Sequence, residues 1–280
     1  MENNVKNILY KNGFSFKKAF GQNFILDTEL LSNIVKKAGV TEKDVVLEIG
    51  CGAGTLTKEL SKSAKKVFGY EIDTKLKPIL EETLKDCSNT KIVFKDVMKE
   101  NLKELEKQIG EKYILVANLP YYITTPIIMN FIENATNIKG MVVMVQKEVA
   151  ERLTAKEGTS DYGAITVGIS LRGDAEIVEY VDRTFFVPPP NVDSAVVKIV
   201  IKDNKFENFN RLAVRNVVRT AFSSRRKTLA NNLIKGYKLT RLEVEEILTK
   251  VNLLLNVRGE ELSSRNFIDL SNTLIEKGIL

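Results

Sequence analysis

The chain of 280 residues contains no histidine, no tryptophan and only two cysteines, Cys51 and Cys87. Without histidine there is no Ser/His/Asp or Cys/His relay and no imidazole metal ligand, and no metal site is expected. Two cysteines cannot build a disulfide framework, so a reduced, cytoplasmic setting is the simplest expectation. The longest apolar runs, such as Met141-Val142-Val143-Met144-Val145, fall far short of the roughly 20 residues that span a bilayer. Met1 to Tyr10 is polar and mixed in charge, with no visible secretory signal. Any chemistry must therefore use carboxylates, amides, hydroxyls, lysines or a borrowed cofactor.

What is present is ordinary for a folded protein: 44% hydrophobic and 28% charged residues. The net charge of +6 is unevenly placed. Residues 1–23 hold four Lys against one Glu, and residues 205–235 hold eight basic residues against Glu207 alone. Local positive density of this kind suits a polyanion such as nucleic acid, although a solvated basic face without a partner is the plain alternative.

Val- and Ile-rich runs at Asp44–Ile49, Lys66–Glu71, Lys91–Lys95, Tyr113–Ala117 and Gly140–Val145 predict strands. Between them Leu30–Ala38, Leu56–Ser63, Thr74–Lys85 and Pro126–Asn134 predict helices. Such alternation implies a parallel sheet covered on both faces. Asp174–Tyr180 and Ala195–Ile201 read as an antiparallel pair at one edge. Beyond the polar break at Lys202–Lys205 four helical segments follow: Asn208–Phe222, Lys227–Lys235, Arg241–Asn252 and Leu262–Lys277. Asn210 is an expected helix start, and Gly236 and Gly259 are expected stops or turns. The expected division is an α/β domain over residues 1–203, opened by a covering segment 1–27, and a small all-helical domain over 204–280.

The first predicted strand runs into Glu48-Ile49-Gly50-Cys51-Gly52-Ala53-Gly54 and then a helix. Alternate glycines let the backbone turn sharply and approach a ligand. Glu71 ends the second strand, where an acid accepts hydrogen bonds from both ribose hydroxyls of an adenosine. Asp96 follows the third strand, where a carboxylate can receive an adenine amino group. A dinucleotide fold wants glycine at the sixth position from Gly50, and Thr55 stands there. A structural turn is the bland alternative for a glycine loop alone. With two strand-terminal acids added, the pattern resembles a class I S-adenosylmethionine-dependent methyltransferase with a Rossmann-like domain. Cys51 reads best as a small apolar filler.

The fourth strand leads into Asn118-Leu119-Pro120-Tyr121, at the carboxyl edge where open α/β sheets bind ligands. This tetrad resembles the signature of methyltransferases that act on amino groups conjugated to a ring or carbonyl. Adenine N6 shares its lone pair with the ring and is a poor nucleophile. Two acceptors, the Asn118 amide oxygen and the Leu119 carbonyl, would draw it toward tetrahedral geometry. Pro120 would fix the backbone and Tyr121 would stack on the ring. No strong base is needed. A strand-ending proline turn is the bland reading, and a cysteine-dependent pyrimidine methyltransferase lacks a cysteine at the required edge.

Taken in order, the motifs resemble one family over nearly the whole chain. Lys17-Lys18-Ala19-Phe20-Gly21-Gln22-Asn23-Phe24, Glu48 through Thr57, Asn118 through Pro126, Phe186 through Ser194, and Phe222 through Leu229 are similar to the motifs of the KsgA (RsmA) family. Members are small-subunit ribosomal RNA adenine N6,N6-dimethyltransferases. The resemblance implies dimethylation of two adjacent adenosines near the 3′ end of 16S rRNA in an assembling small subunit, using S-adenosylmethionine, and nothing in the sequence demands more than a monomer. It implies that Asn23, Ile25, Gly50, Gly52, Glu71, Ile72, Asp96, Val97 and Asn118 hold the cofactor. It also implies that Phe186 stacks on the flipped adenine opposite Tyr121, replacing lost base stacking; otherwise Phe186 reads as a core aromatic. Two positions depart from the pattern: Cys51 where proline is frequent, and Ser224 where glutamine is common.

Arg211, Arg215 and Arg219 recur every fourth residue on one helical face, and Arg225-Arg226-Lys227 follows at the next helix start. With Lys17 and Lys18 they are the expected RNA contacts. Two other functions stand beside the main one. An Erm-type enzyme would methylate large-subunit RNA, and a non-catalytic assembly or RNA-binding factor would have no need of Asn118, Glu71 and Asp96.

Overall fold

The computed structural model describes residues 2–16, 21–202, 205, 206 and 209–280, the side chains of residues 2–4 and 6 aside. Lys17 and Lys18 lie outside the described residues. The chain divides into two compact units, Met1–Ala150 with Ala175–Ile201, and Glu151–Asp174 with Lys202–Leu280.

In the first unit α1 (Glu2–Lys11) and the short β1 (Phe24–Ile25) precede α2 (Thr28–Ala38). The Asp27 side chain caps α2 at Leu30 N, and Gly39 closes it in the left-handed conformation. The sheet then builds from β2 (Val45–Ile49), β3 (Lys66–Glu71), β4 (Thr90–Phe94), β5 (Tyr113–Asn118) and β6 (Ile138–Gln146). These pair in parallel, and β6 pairs antiparallel with β9 (Ser194–Ile201). The strand order is β4-β3-β2-β5-β6-β9-β7, with β7 (Gly173–Val181) at the edge. Every residue of β2 is buried, as a central strand covered on both faces demands. The connecting helices are α3 (Thr55–Ser61), α4 (Lys77–Thr83), α5 (Leu102–Ile109) and α6 (Thr124–Asn134).

The chain runs outward from β2 toward β4 on one side and from β5 toward β6 on the other. The order therefore reverses between β2 and β5, which opens a crevice at their carboxyl ends. A two-stranded ribbon stands apart from the main sheet. In it β8 (Phe186–Val187) pairs antiparallel with β1, Ile25 opposite Phe186.

The second unit contains α8 (Ala164–Ser170), α9 (Arg211–Ala221), α10 (Leu229–Tyr237), α11 (Arg241–Lys250) and α12 (Ser264–Glu276), and α7 (Lys147–Leu153) leads into it. Asn210 caps α9 at Ala213 N, at the expected start. Gly236 lies inside α10 rather than ending it; a Cβ there would sit 2.4 Å from Thr220 Cγ2 of α9, so the packing of the two helices calls for glycine. The stop is Lys238, which takes a positive φ of 56°.

The expected division at residue 203 omitted Glu151–Asp174, which the structure groups with the helices. Tyr162 and Val167 are buried in the same apolar cluster as Val214, Leu233, Leu262 and Phe267. The Tyr162 hydroxyl donates to Leu262 O (2.9 Å), and Gly158 N donates to Glu260 O (2.8 Å). Among the described residues no helix is long and apolar enough to cross a membrane.

Candidate active site

The carboxyl ends of β2, β3 and β5 and the segment Gly21–Phe24 line one cavity. Its walls include Gly50, Gly52, Glu71, Ile72, Asn118, Leu119, Pro120 and Tyr121. The loop after β2 turns because Gly50 and Gly52 take positive φ values of 78° and 55°. A Cβ on Gly52 would come within 2.9 Å of the Phe24 ring, so the loop and the covering segment approach as only glycine permits.

Glu71, at the end of β3, is 5% exposed and organises this loop. Its Oε2 accepts from Gly52 N (2.9 Å) and its Oε1 from Asp73 N (2.8 Å). The carboxylate keeps acceptor capacity for a ligand hydroxyl. Burial pushes the acid above its ordinary range, and backbone N–H groups of Asp73, Gly52 and Ile72 oppose that rise. Asp73 in turn accepts from Gln22 Nε2 (3.0 Å), which ties the covering segment to the end of β3. Ile72 offers an apolar face at the cavity mouth, 45% exposed.

Asn118 closes β5. Its Nδ2 donates to Asn23 O (3.0 Å), so the opposite end of the amide, Oδ1, is presented as an acceptor. With its own amide turned so that nitrogen faces acceptors, Asn23 donates to Pro188 O at 2.9 Å. After Asn118, Leu119 N donates to Met144 O (3.2 Å) and Pro120 O accepts from Ile123 N and Thr124 Oγ1 (both 3.1 Å). Those bonds fix the turn that carries Tyr121. The Tyr121 hydroxyl shares a 2.7 Å hydrogen bond with Ser194 Oγ, which anchors the far end of the ring. Burial raises the Tyr121 pKa, so the phenol stays neutral.

Four expected site residues stand elsewhere. Phe186 is 2% exposed and packs in the sheet core with Ile25, Met144 and Val196. Its ribbon partner Ile25 is equally buried and meets the loop through backbone, its carbonyl accepting from Thr55 Oγ1 (2.7 Å). Pairing of β1 with β8 turns both side chains inward, so neither lines the cavity. Asp96 and Val97 follow β4, one strand further out. Asp96 Oδ1 caps the turn by accepting from Met98 N (3.0 Å), and Val97 is buried. Gln22, Tyr122 and Ser194 were not singled out. All three lie inside the family-like motifs, and Tyr122 directly follows the tetrad.

In the second unit Arg211, Arg219, Arg226 and Lys227 are exposed and Arg215 is half-buried. Arg225 is committed internally. Its guanidinium donates to Ser160 O and to Tyr162 O (3.3 Å) and lies 4.0 Å from a Glu260 carboxylate oxygen.

Residues 13–276 match the family described as ribosomal RNA adenine dimethylase. The chain is 44% identical to ribosomal RNA small subunit methyltransferase A of Bacillus mycoides, over 98% of this chain and 96% of that protein. The Bacillus cytotoxicus protein of the same name matches at the same identity and coverage. Among solved structures, a dimethyladenosine transferase from Plasmodium falciparum superposes with a TM-score of 0.77 at 28% identity, covering 90% of this chain and 97% of that one. The 23S rRNA methyltransferase ErmE superposes at 0.68 with 27% identity, covering 90% and 100%. On the sheet order, the glycine loop and the tetrad together with these matches, the chain belongs to the ribosomal RNA adenine dimethylase family.

Proposed function

We propose that this enzyme dimethylates N6 of two adjacent adenosines near the 3′ end of 16S rRNA, acting as a cytoplasmic monomer on an assembling small subunit. The small-subunit reading is supported by the relatives that carry that name at 44% identity.

The residues present fit S-adenosylmethionine. A Cβ on Gly50 would fill space 3.7 Å from Asn118 O, so the loop leaves room between β2 and β5 for a ligand lying across the strand ends. Glu71 would hold the ribose, Ile72 would cover the adenine, and Gly50, Gly52 and Asn23 would enclose the methionine end. Asp96 and Val97 would reach the adenine from the end of β4. When bound, the cofactor supplies a sulfonium methyl.

The chain's own residues prepare the amine. Asn118 Oδ1 and Leu119 O would accept the two N6 hydrogens and turn the lone pair outward. Tyr121, its hydroxyl anchored by Ser194, would stack on the extruded base. The proton leaves readily once the nitrogen is alkylated, which suits a chain without histidine. The carrying observation is the 3.0 Å bond from Asn118 Nδ2 to Asn23 O, which dictates the end of the amide that faces the amine. Phe186 would oppose Tyr121 only by leaving the core. Lys17, Lys18, Arg211, Arg215, Arg219, Arg226 and Lys227 would meet RNA phosphates, with Arg225 holding the segment beside them.

The test is nucleoside mass spectrometry of unmethylated small subunits after incubation with enzyme and S-adenosylmethionine, large subunits alongside. Dimethyladenosine confined to the small subunit is expected. Modification of large-subunit RNA alone would move the enzyme to the Erm type, and no modification with the cofactor bound would indicate an assembly factor.

A further inference from the structure

Two acids, Glu48 and Glu71, lie beneath the glycine loop; burial is the largest influence on each, and the buried Asp73 carboxylate adds to the rise at Glu71. Glu48 is the fourth residue of β2, in register with Gly69 of β3 and Val116 of β5, and is 1% exposed. Glu71 is the other acid, close enough to act on Glu48 through its charge. Two carboxylates this dry cannot both be ionised at modest cost.

Hydrogen bonds decide which one carries the charge. Glu71 takes backbone N–H groups on both oxygens. Glu48 Oε2 has no hydrogen-bond partner. Its polar neighbours are the Thr57 hydroxyl on α3 and the Cys51 thiol. Thr57 is fully buried, and its hydroxyl is likewise unpartnered. Glu106 shows the contrary case in the same unit: its carboxylate accepts from Tyr113 Oη (3.0 Å), Thr136 N and Oγ1 (2.9 and 2.6 Å) and Asn137 N (3.0 Å). Burial alone would raise the Glu106 pKa, and those donors bring it below the ordinary value.

We propose that Glu48 is a positioning residue that works as a neutral acid beneath the loop, leaving the charge on Glu71, whose oxygens the backbone N–H groups hold. The inference rests on the reading of this loop as the S-adenosylmethionine site. A proton on Glu48 removes the charge from a buried oxygen that no donor meets, and it spares Glu71 a second charge across the loop. Loss of the proton would set Glu48 against Glu71 and loosen the hold on Gly52.

Burial lifts the Glu48 pKa from 4.5 to about 8, with the Glu71 charge adding to the rise and Thr57 and Cys51 opposing it. The Cys51 thiol is itself pushed up by burial and by both acids, so it stays protonated. Between those two pH values the folded chain holds a proton that the unfolded chain has lost. This group therefore lowers folding stability as pH rises from 4.5 to about 8, and its contribution is constant above.

The experiment compares wild-type protein with E48Q, whose amide is neutral at every pH. Ligand-free melting is followed from pH 6 to 9.5, and S-adenosylhomocysteine affinity by calorimetry at the same pH values. The melting advantage of E48Q over wild type is expected to grow up to about pH 8 and then hold. Wild-type affinity is expected to fall roughly fivefold to tenfold between pH 7 and 9, while E48Q changes less than about twofold. Parallel melting profiles for the two proteins would overturn the proposal. Should E48Q fail to fold, carboxyl ¹³C NMR of glutamate-labelled wild type decides. A glutamate still protonated at pH 7 is expected, and all glutamates charged at that pH would overturn the idea. If S-adenosylhomocysteine binds at no pH, the reading of the loop falls, whereas the ligand-free melts still decide on Glu48.

Discussion

Asn118 can serve a conjugated amine only because the rest of its amide is occupied. Removing the side chain in Asn118→Ala deletes the acceptor and also frees Asn23 O, to which Nδ2 donates. The expected result is a loss of about 10²–10³-fold in kcat, as for removal of one preorganised polar group, with cofactor affinity by calorimetry less affected. Phe186 separates two roles cleanly. As a core side chain 2% exposed, its replacement by Ala should cost roughly 3–5 kcal/mol of stability in urea unfolding. A stacking role alone would leave stability unchanged and lower only kcat. These residues also show what a sequence can reveal. Glu71 ends the β-branched and aromatic run Val67-Phe68-Gly69-Tyr70 and Asn118 the run Ile114-Leu115-Val116-Ala117, so their place at a strand terminus could be read from local pattern. The burial of Ile25 and Phe186 could not, because it arises from pairing between segments some 160 positions apart.

The strands of the central sheet were legible because parallel strands covered on both faces must be nearly continuous apolar runs. The helices α5 and α8 were not. α5 is built from LKELEKQI, and its burial rests on Leu105, Glu106 and Ile109, so a charged residue supplies part of the inward face. α8 is only seven residues long and apolar nearly throughout, a pattern that does not distinguish helix from strand. The same ambiguity hid the link between Gly158–Tyr162 and the helical unit, where Arg225 is committed. Arg225→Ala should raise amide exchange across residues 155–162, and it should weaken RNA binding less than Arg226→Ala does. Equal losses of RNA affinity, with unchanged exchange, would return Arg225 to the phosphate-binding set.

At the scale of the whole molecule, basic charge is concentrated while the body is near balance. Replacing Arg211, Arg219, Arg226 and Lys227 together should lower the slope of log affinity against log salt by about 3, at roughly 0.7–0.9 per phosphate contact. Filter binding across a salt series measures it, and an unchanged slope would exclude these side chains from RNA contact. The two-segment helical unit also sets a timetable for synthesis. Tyr162 is buried against helices that lie later in the chain, and its hydroxyl bonds a carbonyl 100 positions downstream. At about 5–20 residues per second, Glu151–Asp174 waits on the order of 5–20 s for its partners to be translated. Throughout that interval its apolar side chains have only nascent chain, solvent or chaperone to meet. A message truncated before Leu262 would deny them Leu262 and Phe267 for good, marking the product for degradation however well the preceding sheet had formed.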